Sequence, residues 1–326
     1  MDKKWENFSG NINIYKDLER KNISEIISEK NIHSLQFYQF KNPKDETWKI
    51  LNDLFEKHPN IGLRVLWYDT QDLSFYNLIP NVRKFTIASY NTFDFTQLQI
   101  NTKLKHFGIE ETKSITVDIS FIKSFKDLES LYVDGMKKGL NKVSFLTNLK
   151  RLTFRGVKLE NLDFITDLRN LEELNLLFGS YKSLESLSNL KSLKSIEFSR
   201  VRQIPNFDFL NSMENLEKIE FEGMAKMEEI PNLSKLTKLK RIHINNNLRL
   251  SKIENIKAIP NLKLLQLSFA ENSKVNERKN IIEQSVEILK NTNTIEYTNI
   301  FHWTDEITTK KLIEKGIKNW KWDIEI

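Results

Sequence analysis

The sequence predicts an α/β fold: a curved solenoid of short repeats with a parallel concave sheet and helical caps at both ends. Three observations predict it. A frame of three apolar residues recurs nine times at intervals of 21 to 24 residues. Many repeats also carry apolar residues at every third position in their second half. The two terminal segments have helical rather than repeat periodicity.

The repeat frame is an apolar residue, two others, a second apolar residue, one other and a third apolar residue. The last two apolar residues lie two apart, so they share one face of a short strand. We call the side of the sheet that carries the third, fifth and seventh frame positions the open face. The nine frames begin at Val82, Leu104, Leu128, Leu149, Leu171, Leu193, Leu216, Leu239 and Leu262.

The second half of each repeat returns the chain to the next strand. Apolar residues such as Leu162, Ile165 and Leu168 stand nine, six and three places before the next frame. Spacing of three favours a tight helical turn, in which residues i and i+3 lie on one side. Asn often precedes the frame, as at Asn148 and Asn170, and suits a turn that re-enters a strand.

The phrases "LTNLKRLTF" and "LRNLEELNL" resemble the short leucine-rich repeats of bacterial internalins and eukaryotic phosphatase-regulator proteins. The resemblance is firm over residues 82–270 and weaker over 30–81. It implies a leucine-rich-repeat fold and says almost nothing about the partner. Members of this class usually place Asn at the ninth frame position, where it bonds backbone in the turn. Only Asn247 does so here, so we expect packing and backbone bonds to hold the other turns.

The first part of the chain departs from this spacing. Two frames, Ile32-x-x-Leu35-x-Phe37 and Leu63-x-x-Leu66-x-Tyr68, lie 31 residues apart. Residues 45–58 between them have helical periodicity, and 17–29 read as another helix.

At the far end, residues 276–290 read as a helix and 294–301 as a strand. A further helix is predicted from Thr304 as N-cap to Gly316 after its C-terminus. The closing residues from Trp320 to Ile326 alternate as in a strand.

These patterns predict three parts. Repeat stacks expose an apolar cross-section at each end, so terminal segments must cover it. We therefore expect an N-terminal cap with irregular first repeats at 1–60, a leucine-rich-repeat solenoid at 61–275 and a C-terminal cap at 276–326.

Composition narrows the class of protein. The 326 residues are 39% hydrophobic and include no cysteine, which excludes disulfides, thiolate metal sites and cysteine nucleophiles. No apolar run approaches the roughly 18–20 residues that cross a bilayer, and the first residues lack the apolar core of a secretory signal. We therefore expect a cytoplasmic monomer without membrane contact. Abundant Lys, Asn and Ile favour an AT-rich bacterial source.

No catalytic motif is recognisable. The five histidines are far apart in sequence, and no close pair has metal-ligand spacing. A phosphate-binding loop and a nucleophile motif are also missing from the sequence. His106 and His243 fall at open-face positions, where each could line a site. The sequence therefore predicts no enzyme, no cofactor and no metal.

Charge on the open face argues against nucleic acid as the partner. Five basic and six acidic residues occupy the face positions of the nine frames. A surface that follows a phosphate backbone needs many unopposed cations. Charge is instead banded along the chain: residues 136–158 are basic, 206–229 acidic and 235–263 basic. Such bands either lie on a solvated surface or select a complementary partner.

The sequence predicts a protein partner on the concave face. Trp, Tyr and Arg dominate interface hot spots, and Trp67 and Tyr132 both fall at fifth frame positions. The function predicted is a non-catalytic protein–protein interaction scaffold that regulates or neutralises its partner. An enzyme with its chemistry in a cap and a nucleic-acid-binding solenoid are the alternatives. The residues predicted to bind the partner are Trp67, Tyr132, Arg151, Arg155, Glu173, Asn175, Leu177, Glu197, Arg241 and His243.

Overall fold

The structure is a computed structural model that describes residues 3–69, 71–270, 275–321, 324 and 326, excepting the side chains of 275–277. The chain divides into two compact units, Met1–Val157 (unit 1) and Lys158–Ile326 (unit 2). The division into caps and solenoid that the sequence suggests stays a prediction.

Unit 1 contains eight described strands, two α-helices and a series of 3-10 turns. The helices are α1 (Arg20–Ile27) and α2 (Asp45–Lys57), and 3-10 turns span Ser74–Leu78, Thr96–Ile100, Ser120–Ser124 and Leu140–Phe145. The strands are β1 (Trp5–Phe8), β2 (Asn11–Ile14), β3 (Ser34–Phe37), β4 (Gly62–Trp67), β5 (Lys84–Ser89), β6 (His106–Ile109), β7 (Ser130–Asp134) and β8 (Arg151–Arg155).

The sheet of unit 1 begins with an antiparallel hairpin and continues as a parallel ladder. β1 pairs antiparallel with β2, and every later pair from β2–β3 to β7–β8 is parallel. Leu152 pairs with Leu131 and Phe154 with Val133, and all four side chains are buried. Thr153, between the two core residues, is partly exposed. The predicted alternation of core and open face is therefore present.

The register of β4 differs from the predicted one. Leu63 pairs with Phe85 and Val65 with Ile87, so these two are the strand's core residues. The predicted frame had used Leu66 and Tyr68 instead. Helix α2, which lies between β3 and β4, changes the repeat length, so the predicted frame is displaced by three residues from the observed one. Arg64, and not Trp67, holds the fifth frame position.

Unit 2 has the same construction. Its helices are α3 (Val275–Asn291) and α4 (Glu306–Glu314), and its 3-10 turns are Asp163–Ile165, Glu185–Asn189, Asp208–Ser212, Glu254–Ala258 and Ile300–His302. The strands are β9 (Lys158–Leu159), β10 (Glu173–Leu177), β11 (Ser180–Tyr181), β12 (Ser195–Ser199), β13 (Lys218–Glu222), β14 (Arg241–Asn245), β15 (Leu264–Ser268), β16 (Tyr297–Thr298) and β17 (Lys318–Asn319).

The main sheet of unit 2 is a parallel ladder in the order β10-β12-β13-β14-β15-β16-β17. Paired strands align position by position, as Leu174 with Ile196 and Leu176 with Phe198. The residues spaced by three, including Leu162, Ile165 and Leu168, are buried. A 3-10 turn occupies this segment in most repeats, which agrees with the tight helical return expected from the spacing.

The turn after each strand is held mainly by backbone. The eighth frame residue adopts a left-handed conformation in successive repeats of unit 2, at Phe178, Arg200, Gly223 and Asn246. Its N–H donates to the next strand, as from Phe178 to the Ser199 carbonyl at 2.7 Å. The ninth-position Asn247 adds the side-chain bonds of the repeat class: its amide accepts from Met224 N–H at 2.7 Å and donates to the Phe221 carbonyl at 2.8 Å.

The C-terminal segment follows the predicted elements with three differences. Asp305 is the N-cap of α4, since its carboxylate accepts from Thr308 N–H at 2.7 Å; Thr304 was predicted. The strand expected at 294–301 is limited to β16, because a 3-10 turn begins at Ile300. Gly316 follows α4 with φ of 93°, as expected for a helix C-terminus. The closing strand predicted from Trp320 onward is not formed by its described residues, because β17 already ends at Asn319. Trp322 lies outside the described residues.

Candidate functional site

The open face of unit 1 carries a chain of polar side-chain contacts. Arg64 donates to Gln36 Oε1 at 2.8 Å, and Gln36 in turn donates to Asn13 Oδ1 at 2.7 Å. Arg64 also reaches Glu110 at 3.3 Å, two strands away. The side chains between them, Thr86 and Ala88, are short enough to allow this contact. These contacts fix the orientation of the Arg64 side chain on the solvent-accessible open face.

Tyr132, Asp134 and Arg155 form a second group on the same face. Arg155 Nη1 lies 2.5 Å from Asp134 Oδ2, and the Tyr132 hydroxyl donates to the same oxygen at 3.5 Å. Burial, together with the charge of Asp134, raises the pKa of Tyr132 to about 12. Asp134 is buried, so Arg155 neutralises a carboxylate that is removed from water. Arg155 therefore stabilises the fold in addition to any role in binding.

Arg151 is the exposed member of the predicted set in unit 1. Its guanidinium lies 3.4 Å from Nδ1 of His106 across the intervening strand β7. Burial and the nearby charges of Lys84 and Arg151 lower the pKa of His106. This part of the face therefore holds a neutral imidazole beside two cations.

Unit 1 also exposes aromatic and apolar side chains at the ends of its strands. Tyr38 is 59% and Tyr68 is 64% exposed. Tyr68 stacks on Tyr90, with ring centroids 4.8 Å apart and an interplanar angle of 14°. Leu66 is partly exposed on the open face of β4, beside Ala88. We call Tyr38, Leu66, Tyr68 and Tyr90 the aromatic patch.

Trp67 is not part of the open face. Its side chain is only 2% exposed and lies among Phe37, Trp48 and Phe75, with ring centroids 5.6 to 6.3 Å away. The indole N–H donates to the Phe40 carbonyl at 3.0 Å. The predicted placement of Trp67 on the binding face was wrong, because the register of β4 turns this residue toward the core.

The open face of unit 2 is acidic along neighbouring strands. Glu173, Glu197, Glu220 and Glu222 occupy face positions of β10, β12 and β13, and Glu197 pairs with Glu220 in the ladder. Burial, added to the charges of Glu220, Glu222 and Glu173, raises the pKa of Glu197 to about 7. We call these four residues the acidic row. Asn175 donates to Glu173 at 2.8 Å, which orients the first carboxylate of the row.

His243 lies beside the acidic row and connects it to the next strand. Its Nδ1 is 2.9 Å from Glu220 Oε1, and its Nε2 is 2.9 Å from the Ser268 hydroxyl. Burial tends to raise the pKa of Glu220, but the hydrogen bond with His243 and the charges of His243 and Arg241 outweigh it, so this pKa is lowered. Glu220 is therefore an ionised partner for the imidazole.

The remaining predicted residues of unit 2 lie around this group. Arg241 donates to Gln266 Oε1 at 2.7 Å, and its guanidinium lies 5.1 Å from the Trp320 ring centroid. Leu177, at the seventh position of β10, is partly exposed. Every predicted residue of unit 2 except His243 is therefore at least partly exposed. His243 is buried, but its Nε2 contacts the partly exposed Ser268 hydroxyl.

A cavity lies elsewhere in unit 2. It has a volume of about 840 Å³ and is lined by Ile204, Pro205, Phe207, Met224 and Met227, among others. None of the lining residues belongs to the acidic row or contacts His243. No group of three or more metal-binding side chains occurs in the part of the chain described. In that same part, no helix has the length and apolar character to cross a membrane.

Sequence reasoning missed the aromatic patch and Ser268. The patch was hidden by the displaced frame of β4, although the stretch "VLWYD" signalled a run of aromatic residues. Ser268 stands at the seventh position of its frame. Its contact with His243 is not indicated by the repeat frame, because the ladder pairs His243 with Gln266 and not with Ser268.

Solved structures of other proteins share this architecture. No protein-family model matches the chain, and no curated protein matches its sequence. An internalin from Listeria monocytogenes is similar, with a TM-score of 0.57 and 16% identity over 97% of this chain and 87% of the internalin. A leucine-rich-repeat protein from Leptospira interrogans has a TM-score of 0.57 and 21% identity over 79% of this chain. The match spans 64% of the Leptospira protein. The chain therefore has the leucine-rich-repeat fold.

Proposed function

We propose that this chain is a protein-interaction scaffold that binds a protein partner through the open face of unit 1 and thereby regulates or neutralises it. The observation that carries the proposal is the aromatic patch. Tyr is enriched among residues that dominate binding energy, and single modules bind through a few such anchors with a polar rim. Tyr38 and Tyr68 are exposed in the free protein and therefore need no rearrangement to make contact.

The polar residues around the patch suit a rim. Arg64 is held by Gln36 and Glu110, and Lys41 pairs with Asp69 next to Tyr68. Pre-oriented charges of both signs select a partner and add little raw affinity. Tyr132 and Arg151 lie farther along the same face of unit 1 and extend the surface that a partner of ordinary footprint, about 800 Å² per side, would cover.

The test compares two sets of exposed aromatic residues in unit 1. The partner is captured with the full chain from a lysate of the source organism, identified, purified and titrated by calorimetry. Tyr38→Ala with Tyr68→Ala should weaken its binding by at least about tenfold, because each removes a large anchor. Phe145 is 49% exposed but lies on a 3-10 turn away from the strands. Phe145→Ala is the matched control and should leave the affinity unchanged. Equal affinities for the two variants would reject the aromatic patch as the site.

A further inference from the structure

Unit 2 contains a carboxylate, an imidazole and a hydroxyl that contact one another in sequence, with the imidazole in the middle. Glu220, His243 and Ser268 come from three successive strands of the parallel ladder, β13, β14 and β15. The carboxylate lies 2.9 Å from Nδ1 and the hydroxyl 2.9 Å from Nε2. The strands bring the three side chains together although the residues are 23 and 25 positions apart in sequence.

The order of contacts fixes the roles of the ring nitrogens. An ionised carboxylate only accepts hydrogen bonds, so Nδ1 must carry the proton that it donates to Glu220. When His243 is neutral, Nε2 has a free lone pair and accepts from the Ser268 hydroxyl. Serine nucleophiles are activated by this arrangement of contacts, in which the carboxylate orients the imidazole and the imidazole takes the hydroxyl proton.

We propose that Ser268 is an activated nucleophile and that Glu220, His243 and Ser268 form a catalytic centre for the hydrolysis of carboxylic esters. This activity goes beyond the proposed binding function and does not depend on the aromatic patch. The sequence itself predicts no catalytic chemistry for this chain.

The reaction proceeds by two transfers. Ser268 Oγ attacks the carbonyl carbon while its proton moves to Nε2 of His243. The bond between that carbon and the leaving oxygen then breaks, and the leaving alcohol takes the proton from Nε2. Water attacks the acyl-serine in the second half, giving its proton to Nε2. The ester bond to Oγ breaks, Oγ recovers the proton, and a carboxylic acid is released.

The surroundings indicate which esters would react. The oxyanion donor would be the backbone N–H of Phe269, because serine hydrolases commonly use the N–H of the residue after the nucleophile. The acidic row beside His243 repels anionic substrates and favours a neutral ester or one with a cationic alcohol. Ser268 is partly exposed on the open face and does not line the cavity of about 840 Å³. The reactive ester must therefore lie on an accessible part of the substrate.

The experiment uses a fluorescent fluorophosphonate, which transfers its phosphoryl group to activated serines with loss of fluoride. The folded full-length chain should be labelled at Ser268, located by peptide mass spectrometry. Ser268→Ala should abolish the labelling. His243→Gln should slow it by about 100-fold or more, since the general base is removed. Glu220→Gln should slow it as well, because the Gln amide can donate to Nδ1 and impose the wrong tautomer.

A matched serine provides the control. Ser199 stands at the same seventh frame position on β12, but its hydroxyl donates to Glu222 at 2.6 Å and contacts no imidazole among the described residues. Ser199→Ala should be labelled at the wild-type rate. Circular dichroism of each variant checks that the fold is retained. Release of 4-nitrophenol from 4-nitrophenyl acetate should follow the same order of variants. Labelling of Ser268 no faster than that of Ser199, or hydrolysis that persists in Ser268→Ala, would overturn the proposal.

Discussion

Individual residues on the open faces serve folding as well as recognition. The sequence predicts Arg155 as a contact residue because Arg is common at hot spots. In the structure it neutralises Asp134, which is buried at the end of β7. Exposure on a binding face therefore does not make a side chain dispensable to stability. The neighbouring Arg151 is more exposed, and its described contact is with His106.

This difference predicts unequal effects of two Arg substitutions in unit 1. Arg155→Ala should lower the free energy of unfolding by about 1–3 kcal/mol, because it leaves a buried carboxylate without its ion pair. Arg151→Ala should change it by less than about 0.5 kcal/mol. Urea unfolding followed by circular dichroism measures both. Equal losses would mean that the Asp134 carboxylate does not need Arg155.

The acidic row predicts a dependence of stability on pH. The pKa of Glu197 is raised from 4.5 to about 7, so between these values the folded state holds a proton that the unfolded chain has released. Stability therefore falls as the pH rises through this window, and the penalty is complete above about pH 7. Glu197→Gln should raise the free energy of unfolding at pH 8 by roughly 1 kcal/mol, after allowance for partial exposure. At pH 4 the variant and the wild type should unfold alike.

Urea titrations at the two pH values measure this effect. The control is Glu228→Gln, an exposed carboxylate outside the acidic row, which should have the same small effect at both. A Glu197→Gln protein with no gain at pH 8 would show that the row is solvated well enough to ionise normally.

At the scale of the element, sequence predicts strands well wherever the repeat length is constant. The frames from Val82 onward agree with the ladder, because two apolar residues spaced by two must share one face of a strand. The frame at residue 63 failed, because the preceding helix α2 removed the spacing that identified the register. Both Val65 and Leu66 are apolar there, so hydrophobicity alone could not choose between them. Only the pairing of Leu63 with Phe85 decides it.

From the sequence, the candidate site was predictable only as a set of frame positions that line up on successive strands. The frame places Glu197, Glu220 and His243 on one face, since each holds a fifth position. The frame does not specify whether a side chain contacts the same frame position or a different one on the neighbouring strand. The contact between His243 and Ser268 joins a fifth position to a seventh, and depends on side-chain torsions that the repeat does not specify. The Tyr68–Tyr90 stack likewise required the corrected register.

The alternation within one strand predicts a sharp contrast on β10. Leu174 is fully buried, whereas Asn175 is partly exposed on the open face. Leu174→Ala should destabilise unit 2 by about 2–5 kcal/mol through loss of burial and a residual cavity. Asn175→Ala removes its bond to Glu173 and should cost less than about 1 kcal/mol. Thermal and urea unfolding measure both, and equal sensitivity of the two positions would contradict the register of the ladder.

At the scale of the whole molecule, a repeat protein has no central core, and each repeat is covered only by its neighbours. In unit 1 the antiparallel β1–β2 hairpin stands at the start of the sheet, with no described strand pairing to its outer side. In unit 2 the segment after β15 continues the ladder through β16 and β17. Asn299 bonds both backbone groups of Leu267, and Gln284 of α3 accepts from Ile253 N–H.

These contacts predict that the C-terminal segment is required for a soluble unit 2. Deletion of residues 276–326 would uncover Leu265 and Leu267, which are fully buried in the intact chain. The truncated protein should aggregate or form oligomers, as detected by size-exclusion chromatography with light scattering, because an apolar cross-section has no other cover. Asn299→Ala is the control: it removes two hydrogen bonds but keeps the cover, so it should melt earlier and remain monomeric. A truncated chain that is monomeric and melts at the wild-type temperature would show that residues 276–326 are an appendage and that the ladder is complete at β15.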